Sequence, residues 1–527
     1  MILRSGLVLT TSALLVLGLP AAGSADPGGK GRGKPLAGAR SLGDPLLPQI
    51  GNGGYDVKHY RIQLDYDPGN NSFTSAKTTI RARATQTLKE FSLDFQDLDV
   101  ASVKVDGRDA DFEQVDATPQ LSANPAVTQP MKLVVDPHPS TRPKQGRDFT
   151  VVVRYSGTPE AITDADESIE GWIRACYPLA APQTCDGAFV VNEPIGAQSW
   201  FPGNNYPNDK ATFATHIRVP EGKTALGVGE NIGNITHSDG TVTWRWREDD
   251  PTATYLTTAT VGDFTYTVDS MTETSTGRTL PIYNAVDSTA TPAQAAAIQA
   301  SLDQAPGQLN YLSGLFGPYP FDSTGAVADR AAGVGYALEV QGKPHYAGSF
   351  TSGAPSINLS TQLHEISHQW FGNAVTLDTW ADIWFNEGWA NWSTWYWSFQ
   401  TQGGADPAVR FDNAYADPSN DWTIAPAVLD GDPANLFAFF PTYQRGAMTL
   451  QGYREIVGDA TFFAFANDLM DDYRHGNIST EQFIREAKKA SGFKGAKKAL
   501  LNDYFQQWLY GETKPTILPE DFALTLL

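Results

Sequence analysis

Long apolar segments are missing from the chain beyond its N-terminus, where none reaches the ~18 uncharged residues that span a bilayer. The first residues, MILRSGLVLTTSALLVLGLPAAGSADPG, place an apolar run from Gly6 to Leu19 behind a single basic residue, Arg4. Pro20 and small residues follow, which is typical of a secretory signal peptide cleaved near Ala25. A membrane anchor is the alternative, disfavoured because the run is short. We therefore expect a secreted protein without stable membrane insertion.

Cysteine is nearly absent, since the 527 residues contain only Cys176 and Cys185. In an exported protein, two cysteines this close favour one disulfide that closes a short loop over a metal-binding pair. Two free thiols are the alternative. Neither cysteine has the sequence context of a catalytic nucleophile.

Basic residues are outnumbered, with 38 Lys and Arg against 59 Asp and Glu and a net charge of -21. This balance argues against nucleic acid or an anionic membrane surface as a partner. It favours solubility and mildly favours cationic over anionic small substrates, although salt screening limits that inference.

Composition changes along the chain and indicates several domains. Residues 26–48 are rich in Gly, Pro and basic residues and predict a flexible leader. Short alternating segments such as HYRIQLDYD and DFTVVVRYSG, separated by Gly, Pro, Asn and Asp, predict an all-β domain over residues 49–267. The remaining residues, 268–527, predict a small sheet followed by mostly helix, with a helix start at Thr291-Pro292 and a capping box from Ser479 to Gln482.

The segment LHEISHQW, which begins at Leu363, places His364 and His368 one helical turn apart on the same face. Glu365 lies about 100° around the helix from His364, so it can reach over a bound ion without ligating it. Two histidines that share a helix by chance are the alternative.

A second helical segment, WADIWFNEGWANW, follows after a loop and carries Glu387. The eighteen residues between His368 and Glu387 allow the chain to turn back to the same ion. Two His and one Glu leave a fourth position open, which is the composition of a catalytic zinc site. Because a metal-bound His commonly donates its other N–H to a carboxylate, Asp382 is a candidate to orient one of them, with a helix-start role as the alternative.

HEISHQWFGN followed by WADIWFNEGWANW resembles the zinc signature of the aminopeptidase N family, which are gluzincin metallopeptidases related to the leukotriene hydrolases. The similarity extends to YDVKHYRIQLDYD, EPIGAQSWFPGNNYPNDKATF, FGPYPFD, YQRGAMTL and FFQQWLYG, in the family's order. The resemblance implies an α+β multidomain fold: an N-terminal all-β, saddle-like domain, then a thermolysin-like α/β catalytic domain with a mainly helical C-terminal part. It also implies a short form that lacks the family's C-terminal helical-repeat domain.

The same resemblance assigns further residues. Glu193, in NEPIG, and Glu339, in GYALEVQ, match carboxylates that bind the free N-terminus of the substrate, a task that suits charge-assisted acceptors. Tyr443, before RGAMTL, matches a tyrosine that stabilises the oxyanion. The segment around Glu339 departs from the family, because Tyr336 lies where the motif begins and Val340 replaces an asparagine.

We therefore expect a secreted aminopeptidase that binds one zinc ion per chain and acts as a monomer on peptides with a free N-terminus. Glu365 would act as the general base on a zinc-activated water. Three alternatives remain: an endopeptidase with the same site, a hydrolase of a non-peptide substrate, and a binding protein without catalysis. The intact set of site residues argues against the last of these.

Overall fold

The structure is a computed structural model that describes residues 34–177, 182–331, 333–347 and 357–524. The predicted signal peptide, its cleavage near Ala25 and the first part of the leader lie outside the described residues. None of the described helices is long and apolar enough to cross a membrane.

The predicted flexible leader is wrong for its described second half. Leu46 and Leu47 are buried, and they pack in a cluster with Tyr206 and Trp380. The carboxylate of Asp44 accepts hydrogen bonds from the backbone N–H groups of Leu46, Leu47 and Trp380 at 2.9 Å each. These buried contacts, together with backbone hydrogen bonds such as the one from Gly38 to Glu90, fix a segment whose Gly- and Pro-rich composition indicates disorder.

Strands dominate the first half of the described chain. In chain order they are β1 (Leu36–Ala37), β2 (Tyr55–Asp67), β3 (Ser72–Ala84), β4 (Leu88–Asp94), β5 (Asp99–Val105), β6 (Arg108–Asp116), β7 (Met131–Asp136), β8 (Asp148–Gly157), β9 (Ala161–Thr163), β10 (Ile169–Tyr177), β11 (Thr184–Val191), β12 (Ala211–Pro220), β13 (Thr224–Ala225), β14 (Glu230–Asn231), β15 (Ile235–Thr236), β16 (Thr241–Thr252) and β17 (Val261–Gly262). One sheet has the order β1-β4-β7-β6-β5-β8-β3-β2-β12-β16-β14, with β15 also on β16, and a second has the order β13-β17-β11-β10-β9.

A third sheet begins the second half, with β18 (Phe264–Glu273), β19 (Arg278–Asp287), β20 (Thr324–Ala328), β21 (Ala337–Leu338) and β22 (His345–Tyr346) in the order β18-β19-β20-β22-β21. The predicted boundary between residues 267 and 268 falls inside β18, because this strand pairs along its whole length with β19. Two short strands, β23 (Thr376–Leu377) and β24 (Asn477–Ile478), pair with each other.

Helices make up most of the remainder. They are α1 (Pro292–Leu302), α2 (Ala305–Phe316), α3 (Leu359–Ser367), α4 (Ile383–Gln402), α5 (Pro407–Ala416), α6 (Arg445–Val457), α7 (Asp459–Tyr473), α8 (Thr480–Ala490), α9 (Gly495–Tyr510) and α10 (Asp521–Leu524). The capping boxes at Thr291 and Ser479 are present, as the sequence predicts. A β-rich first part followed by a mixed and then helical second part confirms the α+β fold class.

Two aromatic-rich cores hold these layers together. One lies between the first two sheets and includes Trp172 and Trp200; the other lies among the helices and includes Trp370 and Trp508. The predicted disulfide is confirmed: Cys176 and Cys185 face each other at the end of the β10–β11 hairpin, with sulfur atoms 2.03 Å apart.

Candidate active site

A cavity of about 450 Å³ lies where the second sheet meets α3, α4 and the segment before α6. It gathers residues from both halves of the chain, and the predicted metal ligands, general base, amine-binding glutamates and oxyanion tyrosine are among them. Those that line it are Asp166, Ser168, Glu193, Tyr336, Ala337, Leu338, Glu339, Ser360, Thr361, His364, Glu365, His368, Glu387, Asn391, Thr394, Phe437 and Tyr443.

Helices α3 and α4 bring the candidate metal ligands together. Asn358 caps α3 by accepting from the N–H groups of Ser360 and Thr361, and the helix ends at His368. Past this end, the ring of Phe371 stacks on Trp389 of α4 at 4.1 Å between centroids. This contact folds α4 back along α3 and places Glu387 opposite the two histidines.

The three ligand groups are within reach of one ion. Glu387 Oε2 lies 3.0 Å from His364 Nε2 and 3.5 Å from His368 Nε2. His368 Nδ1 lies 3.1 Å from the carbonyl oxygen of Phe371, so a proton on Nδ1 can be donated to that carbonyl while the lone pair of Nε2 is free to ligate a metal ion beside Glu387. Two imidazoles and a carboxylate whose ligand atoms all lie within 4.8 Å of one another fit a zinc ion with an open position.

Electrostatics also favours a cation at this point. Burial raises the pKa of Glu387, but His368 and His364 outweigh burial and lower it to about 2. Burial lowers the pKa of His368, while the charges of Glu387 and Glu339 outweigh burial and raise it to about 10. The carboxylates therefore favour positive charge at His368, whereas burial outweighs Glu387 at His364 and lowers the pKa of that imidazole.

Glu365 lies between the metal ligands and a further carboxylate. One oxygen of Glu365, one oxygen of Glu339 and a ring nitrogen of His368 lie within 4.8 Å of one another. Glu365 is buried, and burial is the main reason that its pKa is raised well above its usual range. A carboxylate with raised proton affinity beside the ligand cluster can take a proton and later return it.

Glu193 and Glu339 have carboxylate oxygens that lack protein partners. Oε1 of each residue is buried without a hydrogen-bond partner in the described residues. Burial raises the pKa of both, and the charges of neighbouring glutamates raise that of Glu193 further. The backbone carbonyl of Glu339 is fixed by the amides of Gln369 at 3.1 Å and Asn373 at 2.7 Å. These two carboxylates are held in place and available to a cationic group.

Tyr443 lies on a one-turn π-helix, Phe439–Gln444, immediately before α6. Its ring stacks with the imidazole of His364, with centroids 6.1 Å apart and planes at 25°. A Cβ added at Gly388, next to Glu387, would lie 2.9 Å from the backbone carbon of Gly446, so glycine allows α4 and α6 to approach closely there. The close approach brings the tyrosine to the ligand cluster.

Asp382 does not contact the histidines, and its predicted role in orienting one of them is wrong. Its Oδ1 accepts from the N–H and hydroxyl of Thr480 at 2.8 and 2.7 Å, and its Oδ2 accepts from those of Thr379 at 3.1 and 2.9 Å. All four hydrogen bonds stabilise the N-terminal ends of helical segments, since Thr379 precedes α4 and Thr480 begins α8. The carbonyl oxygen of Phe371, rather than a carboxylate oxygen of Asp382, lies beside Nδ1 of His368.

Sequence reasoning missed a lysine that supports the site from the β-rich half. The Nζ of Lys210 donates to the carbonyl oxygens of Asn373, Ala374 and Gly476 at 2.9, 3.1 and 3.0 Å. Asn373 is also the residue that holds the backbone of Glu339. A single lysine before β12 carries no periodic signal, although it lies in the segment NDKATF that was used for the resemblance.

Comparison with known proteins agrees with this geometry. The Peptidase M1 N-terminal domain model matches residues 56–256, and the Peptidase family M1 domain model matches residues 353–508. Human endoplasmic reticulum aminopeptidase 1 is 24% identical over 359 residues, which is 64% of this chain and 36% of that protein. The alanine/arginine aminopeptidase of Saccharomyces cerevisiae is 25% identical over 456 residues, 82% of this chain and 49% of that protein. The chain thus spans half or less of the length of these relatives.

Solved structures match over nearly their full length. The M1 zinc metallopeptidase of Deinococcus radiodurans is 25% identical, with a TM-score of 0.74, over 90% of this chain and 99% of that one. A mutant of that enzyme bound to a Tyr-Ser-Ala substrate gives a TM-score of 0.73 at 24% identity and the same coverage. This match supports the same fold.

Proposed function

Since the chain belongs to peptidase family M1, we propose that it is a zinc-dependent aminopeptidase that removes the N-terminal residue from peptides. The observation that carries this proposal is the pair of unpartnered carboxylate oxygens of Glu193 and Glu339 in the same cavity as the ligand cluster. A peptide amine is a cation of the size and charge that such a pair binds. Secretion is part of the proposal and rests on the N-terminal sequence and the disulfide.

One zinc ion per chain would be held by His364, His368 and Glu387. When bound, zinc supplies Lewis acidity, which polarises a carbonyl and makes a water molecule more acidic. The described residues of one chain supply all the proposed site residues, and a monomer is part of the proposal.

Glu365 moves the proton in the proposed reaction. It accepts a proton from the attacking water and delivers it to the nitrogen of the leaving amine. Burial raises the proton affinity of the Glu365 carboxylate, which helps it to accept the proton from water. A neighbouring cation lowers its pKa, which favours the ionised carboxylate before that transfer. Tyr443 donates its hydroxyl proton in a hydrogen bond to the oxygen that becomes negatively charged. Burial raises the pKa of Tyr443 well above its usual range, so the hydroxyl stays protonated as a donor.

Charge balance supports a free amine in the substrate. Four glutamates line the cavity: Glu193, Glu339, Glu365 and Glu387. A divalent ion and a substrate ammonium together bring three positive charges to these four carboxylates. A peptide with a blocked N-terminus brings one positive charge fewer and so leaves one more buried carboxylate uncompensated, which is costly.

A matched pair of peptides tests the proposal. Leu-Gly-Gly and its N-acetylated form are incubated with enzyme as purified, after chelation, and after zinc is restored, and products are identified by mass spectrometry. We expect release of leucine from the free peptide, at least 100-fold slower reaction of the acetylated one, loss of activity on chelation and recovery with zinc. Cleavage of both peptides at similar rates would indicate an endopeptidase, and activity that survives complete metal removal would reject the metal site.

A further inference from the structure

The side of the cavity next to Glu193 is formed by the turn between β9 and β10. Asp166 and Ser168 of this turn line the cavity. Asp166 Oδ1 accepts from the backbone N–H of Ser168 at 2.9 Å, which fixes the carboxylate at the edge of the cavity. The hydroxyl of Tyr336 donates to the carbonyl of Ile169 at 2.6 Å, so its ring bridges from the strand before Glu339 to this turn. Asp166 and Tyr336 together form one wall, which we call the turn wall.

The turn wall is close to the end of the cavity where Glu193 and Glu339 would hold the amine of the first substrate residue. Glu193 and Asp166 are both among the charges that raise the pKa of Tyr336, after burial, so Tyr336 lies near both carboxylates. The other polar lining residues outside the ligand cluster are uncharged: Ser360, Thr361, Asn391 and Thr394. The turn wall is therefore the charged side of the cavity that a side chain next to the bound amine can reach.

Negative charge at the turn wall has no counterpart in the cavity. No lysine or arginine of the described chain lines the cavity. The proposed metal ion and substrate amine lie at the four glutamates, and Asp166 is the fifth acidic residue of the lining. Two further acids, Asp164 and Glu170, are buried near this wall, but burial raises the pKa of both, so neither adds a full negative charge to it.

We propose that Asp166 and Tyr336 select peptides whose first residue is lysine or arginine. A cationic side chain can lie along the face of the Tyr336 ring, which attracts cations, and place its charge beside the Asp166 carboxylate. Asp166 is exposed, so water and salt weaken its attraction, and we expect a preference of about tenfold rather than an absolute requirement. The inference rests on the proposed aminopeptidase function, since it concerns the same site.

Isosteric substrates isolate the charge. kcat/KM is measured for the p-nitroanilides of arginine and citrulline, which have nearly the same shape, and for those of lysine and norleucine. We expect the native enzyme to favour arginine over citrulline by about tenfold at low salt and by less at high salt. Asp166→Asn should reduce this ratio at least threefold, through a lower kcat/KM for arginine, and should reduce the ratio of lysine to norleucine in the same direction.

Glu167→Gln is the matched control. Glu167 is the exposed neighbour on the same turn, does not line the cavity, and accepts from the side chain of Asn124 at 2.8 Å. The inference is overturned if the native arginine to citrulline ratio is near one, or if Glu167→Gln lowers the ratio as much as Asp166→Asn. Failure of the proposed function is distinguishable, because the enzyme would then release no nitroaniline from any of the four substrates.

Discussion

The two ends of the cavity use the same side chain, glutamate, in opposite electrostatic settings. At the ligand end, Glu387 is within hydrogen-bonding distance of His364, and its pKa is lowered to about 2. At the amine end, Glu193 and Glu339 each have a buried oxygen without a partner, and their pKa values are raised. At the ligand end the protein itself supplies hydrogen-bonding partners, whereas at the amine end one oxygen of each glutamate has none among the described residues.

This difference separates stability from function. A buried carboxylate without a partner costs folding free energy, and the rest of the fold has to offset that cost. Such a free-energy cost is expected at a site that binds a cationic substrate, because the bound cation then interacts with the buried carboxylate. The amine end should therefore gain stability when its charges are removed, and the ligand end should not.

Glu365, which lies between the two ends, gives the largest expected effect. Glu365→Gln keeps the shape of the side chain and removes the base, so we expect kcat to fall by about 10³–10⁴-fold. The proposed ligands His364, His368 and Glu387 are unchanged, so we expect zinc content measured by atomic emission to equal that of the native protein, at the proposed one ion per chain. A variant that retains near-native kcat would contradict the role of Glu365, and loss of zinc would place Glu365 at the ligand end instead.

Glu339→Gln tests the amine end with a smaller loss of activity. Removal of a charge-assisted contact should lower kcat/KM for a free peptide by about 10- to 100-fold and reduce the preference over the acetylated peptide. Burial raises the pKa of Glu339 in the folded protein, so its ionisation costs stability, and this cost grows as pH rises above the unfolded value near 4.5. The metal-free variant should therefore be about 1–3 kcal/mol more stable than the native chain at pH 8.

Urea unfolding of the metal-free proteins at pH 5 and pH 8 measures this difference. Glu486→Gln is the control, because the pKa of Glu486 is lowered by its contacts with Lys489 and Arg485 despite some burial. Its replacement should leave stability unchanged or reduce it. If Glu339→Gln is no more stable than the native chain at pH 8, the amine end carries no uncompensated charge.

The ligand end could be predicted from sequence because its geometry is local. His364 and His368 are four residues apart on a helix, and Glu387 follows on the next helix, so periodicity and one turn specify the cluster. The structure brings these three together as expected. The amine end could not be derived in this way, because Glu193 follows a strand of the second sheet and Glu339 follows a two-residue strand of the third. Both were reached through the family resemblance.

Single residues on turns escaped prediction altogether. Asp166 belongs to a five-residue turn whose acidic composition is ordinary for a solvent-facing loop, and only its place beside Tyr336 makes it a candidate for substrate selection. The buried leader segment escaped for a related reason, since Leu46 and Leu47 are too few to produce a periodic signal. In each case the information lies in a contact between segments distant in sequence.

Asp382 gives the smallest expected effect on chemistry and tests whether the ligand end depends on that residue. Asp382→Asn replaces one acceptor oxygen by an N–H₂ group that faces donors of Thr379 or Thr480, so we expect a loss of about 2–3 kcal/mol in unfolding free energy. Zinc affinity and kcat/KM should change by less than about threefold, because the carbonyl of Phe371 lies beside His368 Nδ1. Zinc affinity is measured by competition with a chromogenic chelator, and stability by urea unfolding. A residue that orients a metal-bound histidine would instead change metal affinity by about 10- to 100-fold when it is replaced. A change of that size would mean that Asp382 does support the ligand end.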